Sequence, residues 1–417
     1  MTRKLRRGCF ACGALRQVQR SLASFFHPPH RRLRPRPLCL VILLGAVAGC
    51  ISGGATLSLS ASAGAVPTPA SEASHAVGAP ERARPDNANF HFIGHWDLSG
   101  AIQQAVTVNS GSRILCSFTG ESVTGLFGTE GISSPAQIYV RIDGGKLVRF
   151  TADRAAIDFA QGLASGRHTF ELEVKDVDER VNRWKPPLQA ALIFKGLQLS
   201  PGGHLVKSPL PGKVRMEFYG DSITQGVRID SMAIGPDGSD GTKDYAFLVA
   251  LAFNALHNQV GFGRQGIIRA GNGNVPPAPD SFGWNYQDSP SDPAFVPSVV
   301  VVNQGTNDGS YKSAEFEPAY RGYIALIRRR DPKATILCLR PFGGFHADDI
   351  QQAVRDLGNP KVIYVDTTGW LDKSDYTDGV HPNAGGQIKA AERLIEVIHE
   401  KTGLKPARTA ASVAADR

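Results

Sequence analysis

The chain has 417 residues, 42% of them hydrophobic, which is enough for two ordinary domains with appendages. Its formal charge of +8 is unevenly placed: ten of the 46 Lys and Arg lie in residues 1–50, which hold no acid, so the other 36 face 38 acidic residues. The basicity belongs to the leader, and the nearly neutral remainder argues against a nucleic-acid partner.

Residues 1–50 read as an export signal. An arginine-rich stretch precedes the uncharged, apolar run 38–49, the positive and hydrophobic regions that such signals need. The run ends in Val47-Ala48-Gly49-Cys50, which resembles a bacterial lipobox and would make Cys50 the lipidated residue. An uncleaved anchor over residues 38–57 and cleavage after Ala63-Gly64-Ala65 remain open. Each implies an exported protein, and the first two attach it to a membrane. Cys9 and Cys12 have no second pair to build a metal site with, and Cys116 and Cys338 are expected as buried thiols.

Residues 51–88 are rich in Ala, Ser, Gly and Pro, with little to bury, and predict a flexible linker. Over 89–200, short alternating runs stand between turn signals, at 114–118, 137–142, 168–174 and 191–194. Asp143-Gly144-Gly145 is a hairpin turn, because Asp and Gly tolerate positive φ. This spacing predicts a β-sandwich.

After a Pro/Gly break at 208–212 the period changes, and strands alternate with helices. Strands are predicted at 214–219, 299–303, 335–339 and 362–365, and helices at 244–257, 318–330, 347–357 and 384–401. The run Val299-Val300-Val301-Val302 is β-branched throughout, as in a strand covered on both faces. The alternation predicts an α/β domain over 213–404 with an open parallel sheet flanked by helices. Residues 405–417 are expected to be a flexible tail.

Ligands of open parallel sheets sit at the carboxyl ends of the strands. Three polar clusters fall there: Gly220-Asp221-Ser222, Gly305-Thr306-Asn307-Asp308 and Asp378-Gly379-Val380-His381-Pro382. Each alone is an ordinary loop sequence. Together they supply a nucleophile, a base, a carboxylate and an amide, the set that acyl transfer needs.

On these motifs the chain over 213–404 resembles the SGNH, or GDSL-type, hydrolases. The resemblance implies a flavodoxin-like parallel sheet with Ser222 as nucleophile, His381 as base and Asp378 as the acid that orients the imidazole. It also implies an oxyanion hole made by the N–H of Ser222, the amide of Asn307 and a glycine N–H. The glycine is expected in Gly261-Phe262-Gly263-Arg264-Gln265-Gly266, with Gly266 first and Gly263 next. That hexapeptide also matches a dinucleotide fingerprint, but residues 267–277, with two glycines and two prolines, cannot be the helix that fingerprint requires. Asp221 and Asp308 are expected to organise their loops.

A jelly-roll-like sandwich ahead of an SGNH domain is similar to carbohydrate esterase family two, bacterial enzymes that remove acetyl groups from plant polysaccharides. The resemblance implies an acetylated carbohydrate substrate and no metal or organic cofactor. A lipid or short-chain esterase, a peptidoglycan O-acetyl esterase, and a non-catalytic glycan-binding surface protein stand as alternatives. Trp284, Phe342 and His346, in two loops rich in aromatics and glycine, are candidates for sugar contact, with plain packing as the equal alternative.

Overall fold

The computed structural model describes residues 80–209 and 212–417. The leader, most of the linker and Cys50 lie outside the described residues, which all belong to one compact unit. Among them no helix is long and apolar enough to cross a membrane.

Two antiparallel sheets form the first half. Strand Leu192–Leu199 lies between Glu81–Ala83 and Val123–Gly128, with Ala156–Ala160 beyond and Ala105–Thr107 also paired to it. In the second sheet Arg113–Thr119 pairs with Arg167–Asp176, which pairs with Gln137–Ile142 and so on to Val148–Thr151. The predicted turn joins the last two strands, with Asp143 and Gly144 both at positive φ. The facing sides bury Phe118, Phe127, Phe170, Leu172 and Phe194, and burying a side chain of this size contributes roughly 1.5–3 kcal/mol.

The second half has five parallel strands: β1 (Arg215–Gly220), β2 (Leu256–Gly261), β3 (Val299–Asn303), β4 (Thr335–Leu339) and β5 (Val362–Val365). Their order is 2-1-3-4-5, the doubly wound flavodoxin-like arrangement. Val299 to Val302 are fully buried, as a strand covered on both faces requires.

Two elements depart from the sequence reading. The helix expected over 244–257 ends at Ala252, and Leu256–Gly261 is the edge strand β2. Alternation hid it, because its polar side chains are all interior. His257, Asn258 and Gln259 are buried, and the Gln259 amide donates to the carbonyls of Thr224 and Gly241 and to Asp244. The tail also differs. Ala410–Ala415 is a helix whose Ala410 and Val413 join the core, and Arg417 ion-pairs with the buried Glu173 of the sandwich. Few apolar residues were needed to dock so short a segment, so composition gave no sign of it.

The two halves share a core. Val106, Val108, Trp184 and Ala191 of the sandwich pack with Tyr219, Val260 and Phe262 of the parallel sheet. Trp184 meets Phe262 edge-to-face at 5.8 Å. Cys116 and Cys338 are free and buried in separate cores.

Candidate active site

β1 is followed at once by a short helix, Ser222–Gln225. Asp221 caps it by accepting from the N–H of Ile223 at 2.9 Å. Burial raises the Asp221 carboxyl to about 6. Gly220 is needed for space rather than for an unusual φ, since a Cβ there would come within 2.0 Å of the Thr224 hydroxyl. The left-handed residue is Gly226, φ 84°, at the C-cap.

His381 reaches this helix from the loop before the last long helix, Ala384–Thr402. Asn383 caps that helix, and the N–H of Thr377 donates to the His381 carbonyl, so the loop is fixed on both sides. Gln387, one turn into the helix, is fully buried and accepts from the N–H of Tyr245. The Tyr245 hydroxyl in turn meets that of Thr224 at 2.8 Å. A continuous set of contacts therefore ties the histidine loop to the serine helix.

The result is an in-line relay. His381 Nε2 lies 2.8 Å from Ser222 Oγ, and His381 Nδ1 lies 2.8 Å from Asp378 Oδ2. Asp378 Oδ1 accepts from the N–H groups of Val380 and His381. With a carboxylate facing Nδ1, the proton sits there and Nε2 is left to accept from the serine hydroxyl. Arg228, not foreseen from the sequence, donates from Nη1 to Asp378 Oδ2 at 2.5 Å, sharing that oxygen with the imidazole. Burial pushes the Asp378 carboxyl up, but the His381 N–H and ring, Arg228 and the Val380 N–H together hold it well below the usual carboxylate range. Arg228 stands two residues after the Gly226 that closes Gly-Asp-Ser-Ile-Thr-Gln-Gly, the one hint the sequence offered.

Ser222 and His381 border a cavity of about 220 Å³ shared with Asn307, Arg228, Glu179 and Arg264. Asn307 donates one amide hydrogen to the Gln265 carbonyl at 2.9 Å and has a second to offer. The N–H of Ser222 stands in the first turn of its helix, where no intrahelical acceptor exists.

The glycine expectation needs correction. Gly266 does not border the cavity, and its N–H donates to the Arg269 carbonyl at 3.0 Å. A Cβ at 266 would lie 2.4 Å from the Asp308 carboxylate, which takes the N–H groups of Ile267, Ile268 and Arg269. Gly266 is glycine so that Asp308 can brace this loop. The N–H of Gly263 is also engaged, with the Gln225 side chain at 2.9 Å.

The three aromatic candidates are also elsewhere. Phe342 is buried between Tyr245 and Trp370. His346 stacks on Phe316 at 3.8 Å and bonds the Asp308 carbonyl and Asp349, so it braces the Asn307 turn from behind. Trp284 is exposed on a small hairpin and does not border the cavity. Among the described residues no cluster of three or more His, Cys, Asp or Glu is placed to hold a metal.

The model of the GDSL-like lipase/acylhydrolase family matches residues 218–387, which carry all of the relay. These residues form a GDSL-like lipase/acylhydrolase domain. The chain is 28% identical, over 76% of its length, to the cellulase/esterase CelE of Acetivibrio thermocellus. It is 25% identical, over 46% of its length, to the acetylxylan esterase/glucomannan deacetylase of Cellvibrio japonicus. The matches span only 40% and 54% of those two relatives. Among solved structures, a family two carbohydrate esterase from Clostridium thermocellum in complex with cellohexaose is similar, with 26% identity and a TM-score of 0.65. That likeness covers 76% of this chain and 100% of the other. The family two carbohydrate esterase from Cellvibrio japonicus shares the fold at 18% identity and a TM-score of 0.66, over 78% and 98% of the two chains. The chain thus has the two-part architecture of family two carbohydrate esterases, a sandwich followed by an SGNH-type sheet.

Proposed function

We propose that this chain is a carbohydrate esterase that removes O-acetyl groups from a polysaccharide or oligosaccharide through an acyl-serine intermediate. The observation that carries the reading is the relay Ser222–His381–Asp378, with both bonds to the imidazole at 2.8 Å. His381 takes the Ser222 proton as the oxygen attacks the ester carbonyl, and Asp378 stabilises the imidazolium that forms. The Ser222 N–H and the free amide hydrogen of Asn307 receive the developing oxyanion. His381 then returns the proton to the departing sugar oxygen, and water repeats the sequence to release acetate.

The size of the cavity favours a short acyl group, and Val227, Ala233, Ile234 and Val380 give it an apolar side against which a methyl can lie. The names of the two relatives supply the sugar part of the reading. Export, and a membrane attachment through residues 1–50, belong to the proposal and rest on the sequence pattern alone.

The test is acetate release from acetylated xylan and glucomannan, beside p-nitrophenyl acetate and a long-chain p-nitrophenyl ester, by the wild type and Ser222→Ala. Turnover of the acetyl esters that vanishes in the variant supports the reading. Preference for the long chain would move it to a lipid esterase, and a folded wild type inactive on every ester would overturn it.

A further inference from the structure

The loop after strand Arg167–Asp176 leaves the sandwich and runs to the catalytic cavity. It is held there by buried polar contacts. Gln225, at the end of the Ser222 helix, donates to Asp176 at 3.1 Å and accepts from Arg183 at 2.8 Å. Arg183 is fully buried and also donates to the Val177 carbonyl and lies over the Phe262 ring. Asp178 pairs with Arg180 and accepts from Ser134 at 2.7 Å. Both sides of Glu179 are therefore anchored.

Glu179 itself borders the cavity with Ser222, His381 and Asn307. Among the described residues no group donates to its carboxylate, and Oε2 is buried without a partner. That oxygen rests over Gly263, where a Cβ would fall 1.1 Å from it. None of the neighbouring cations bonds to it: Arg180 is engaged by Asp178, Arg183 by Gln225 and Arg228 by Asp378. Arg180 and Arg183 thus feel its charge without donating to it, and Arg264, which also borders the cavity, makes no ion pair with it among the described residues. An ionisable acceptor held rigidly at a cavity wall and left without a donor is a group whose donor comes with the ligand.

We propose that Glu179 is a specificity-determining residue supplied to the active site by the sandwich, accepting a hydroxyl of the sugar unit that carries the ester. The inference rests on the carbohydrate reading above. A sugar brings hydroxyl donors beside its ester; a simple aryl ester brings none. Glu179 thus acts on recognition of the alcohol part, while the relay acts on the acyl part.

The test compares kcat/KM on an acetylated xylo-oligosaccharide and on p-nitrophenyl acetate for the wild type, E179A and E179Q. The ratio of sugar ester to aryl ester is expected to fall about 10-fold in E179A, mostly through KM, with E179Q between because it keeps one acceptor. If the wild type turns over both esters and the variants leave the ratio unchanged, the proposal falls and the carbohydrate reading stands. If the wild type hydrolyses the aryl ester and never the sugar ester, the carbohydrate reading falls and takes the proposal with it. Thermal melting of E179Q, equal in size to the native residue, separates loss of recognition from loss of fold.

Discussion

The loops over 262–269 and 376–383 lie at the same end of the sheet and use their backbones in opposite ways. In 376–383 the main chain only holds position, and the Asp378 and His381 side chains face the serine. In 262–269 the main chain is the working surface, and most of its donors end on Asp308, Gln225 or another carbonyl of the same loop. A loop that acts through side chains displays its chemistry as residue types at fixed spacing. One that acts through N–H groups takes its meaning from partners distant in the chain, and glycine there serves those partners as often as it serves a ligand.

The comparison can be tested hardest at the relay. Ser222→Ala or His381→Ala should lower kcat on an acetyl ester on the order of 10^5-fold, with unchanged melting. Asp378→Asn should cost about 10^4-fold, because Nδ1 loses its acceptor and the tautomer is no longer fixed. Asn307→Ala removes one donor and should cost about 10^2- to 10^3-fold in kcat, with KM little changed.

Gly266→Ala sharpens the contrast from the other side. Its Cβ must displace Asp308, so a loss of roughly 1–3 kcal/mol in denaturant unfolding is expected, with a smaller effect on kcat than Asn307→Ala. A collapse of kcat with intact stability would instead return Gly266 to the oxyanion hole.

The smallest effect is on pH dependence. The folded-state pKa of Asp378 lies below its unfolded value, so its contribution to stability is present above the unfolded value and lost as pH falls through the folded one. The melting difference between wild type and Asp378→Asn should therefore shrink as pH drops from about 5 to the acid limit.

The same logic explains what the sequence disclosed. Ser222, Asp378, His381 and Asn307 were legible because motif and chemistry coincide at those positions, and β3 and β4 because burial on both faces leaves an apolar run. β2 was not, since its His257, Asn258 and Gln259 are buried polar side chains, with Asn258 bonded to Glu217 and Gln259 to Thr224 and Asp244, so burial leaves no apolar run there. Phe342 and His346 stand beside the site in the chain but brace it from behind, a distinction residue type does not make. Glu179 carried no local signal at all, because it reaches the cavity from the other half of the molecule.

One side chain bears on how such a protein can be recombined. The Gln225 amide touches Asp176, Val177 and Arg183 on one side and Gly263 on the other, while its own helix begins with Ser222. A chimera cut at the Pro/Gly segment near residue 210 would look clean by composition and would sever this junction. Any exchange of the first half must bring matching residues at 176, 183 and 225, so the functional module is the pair of halves, and neither travels alone.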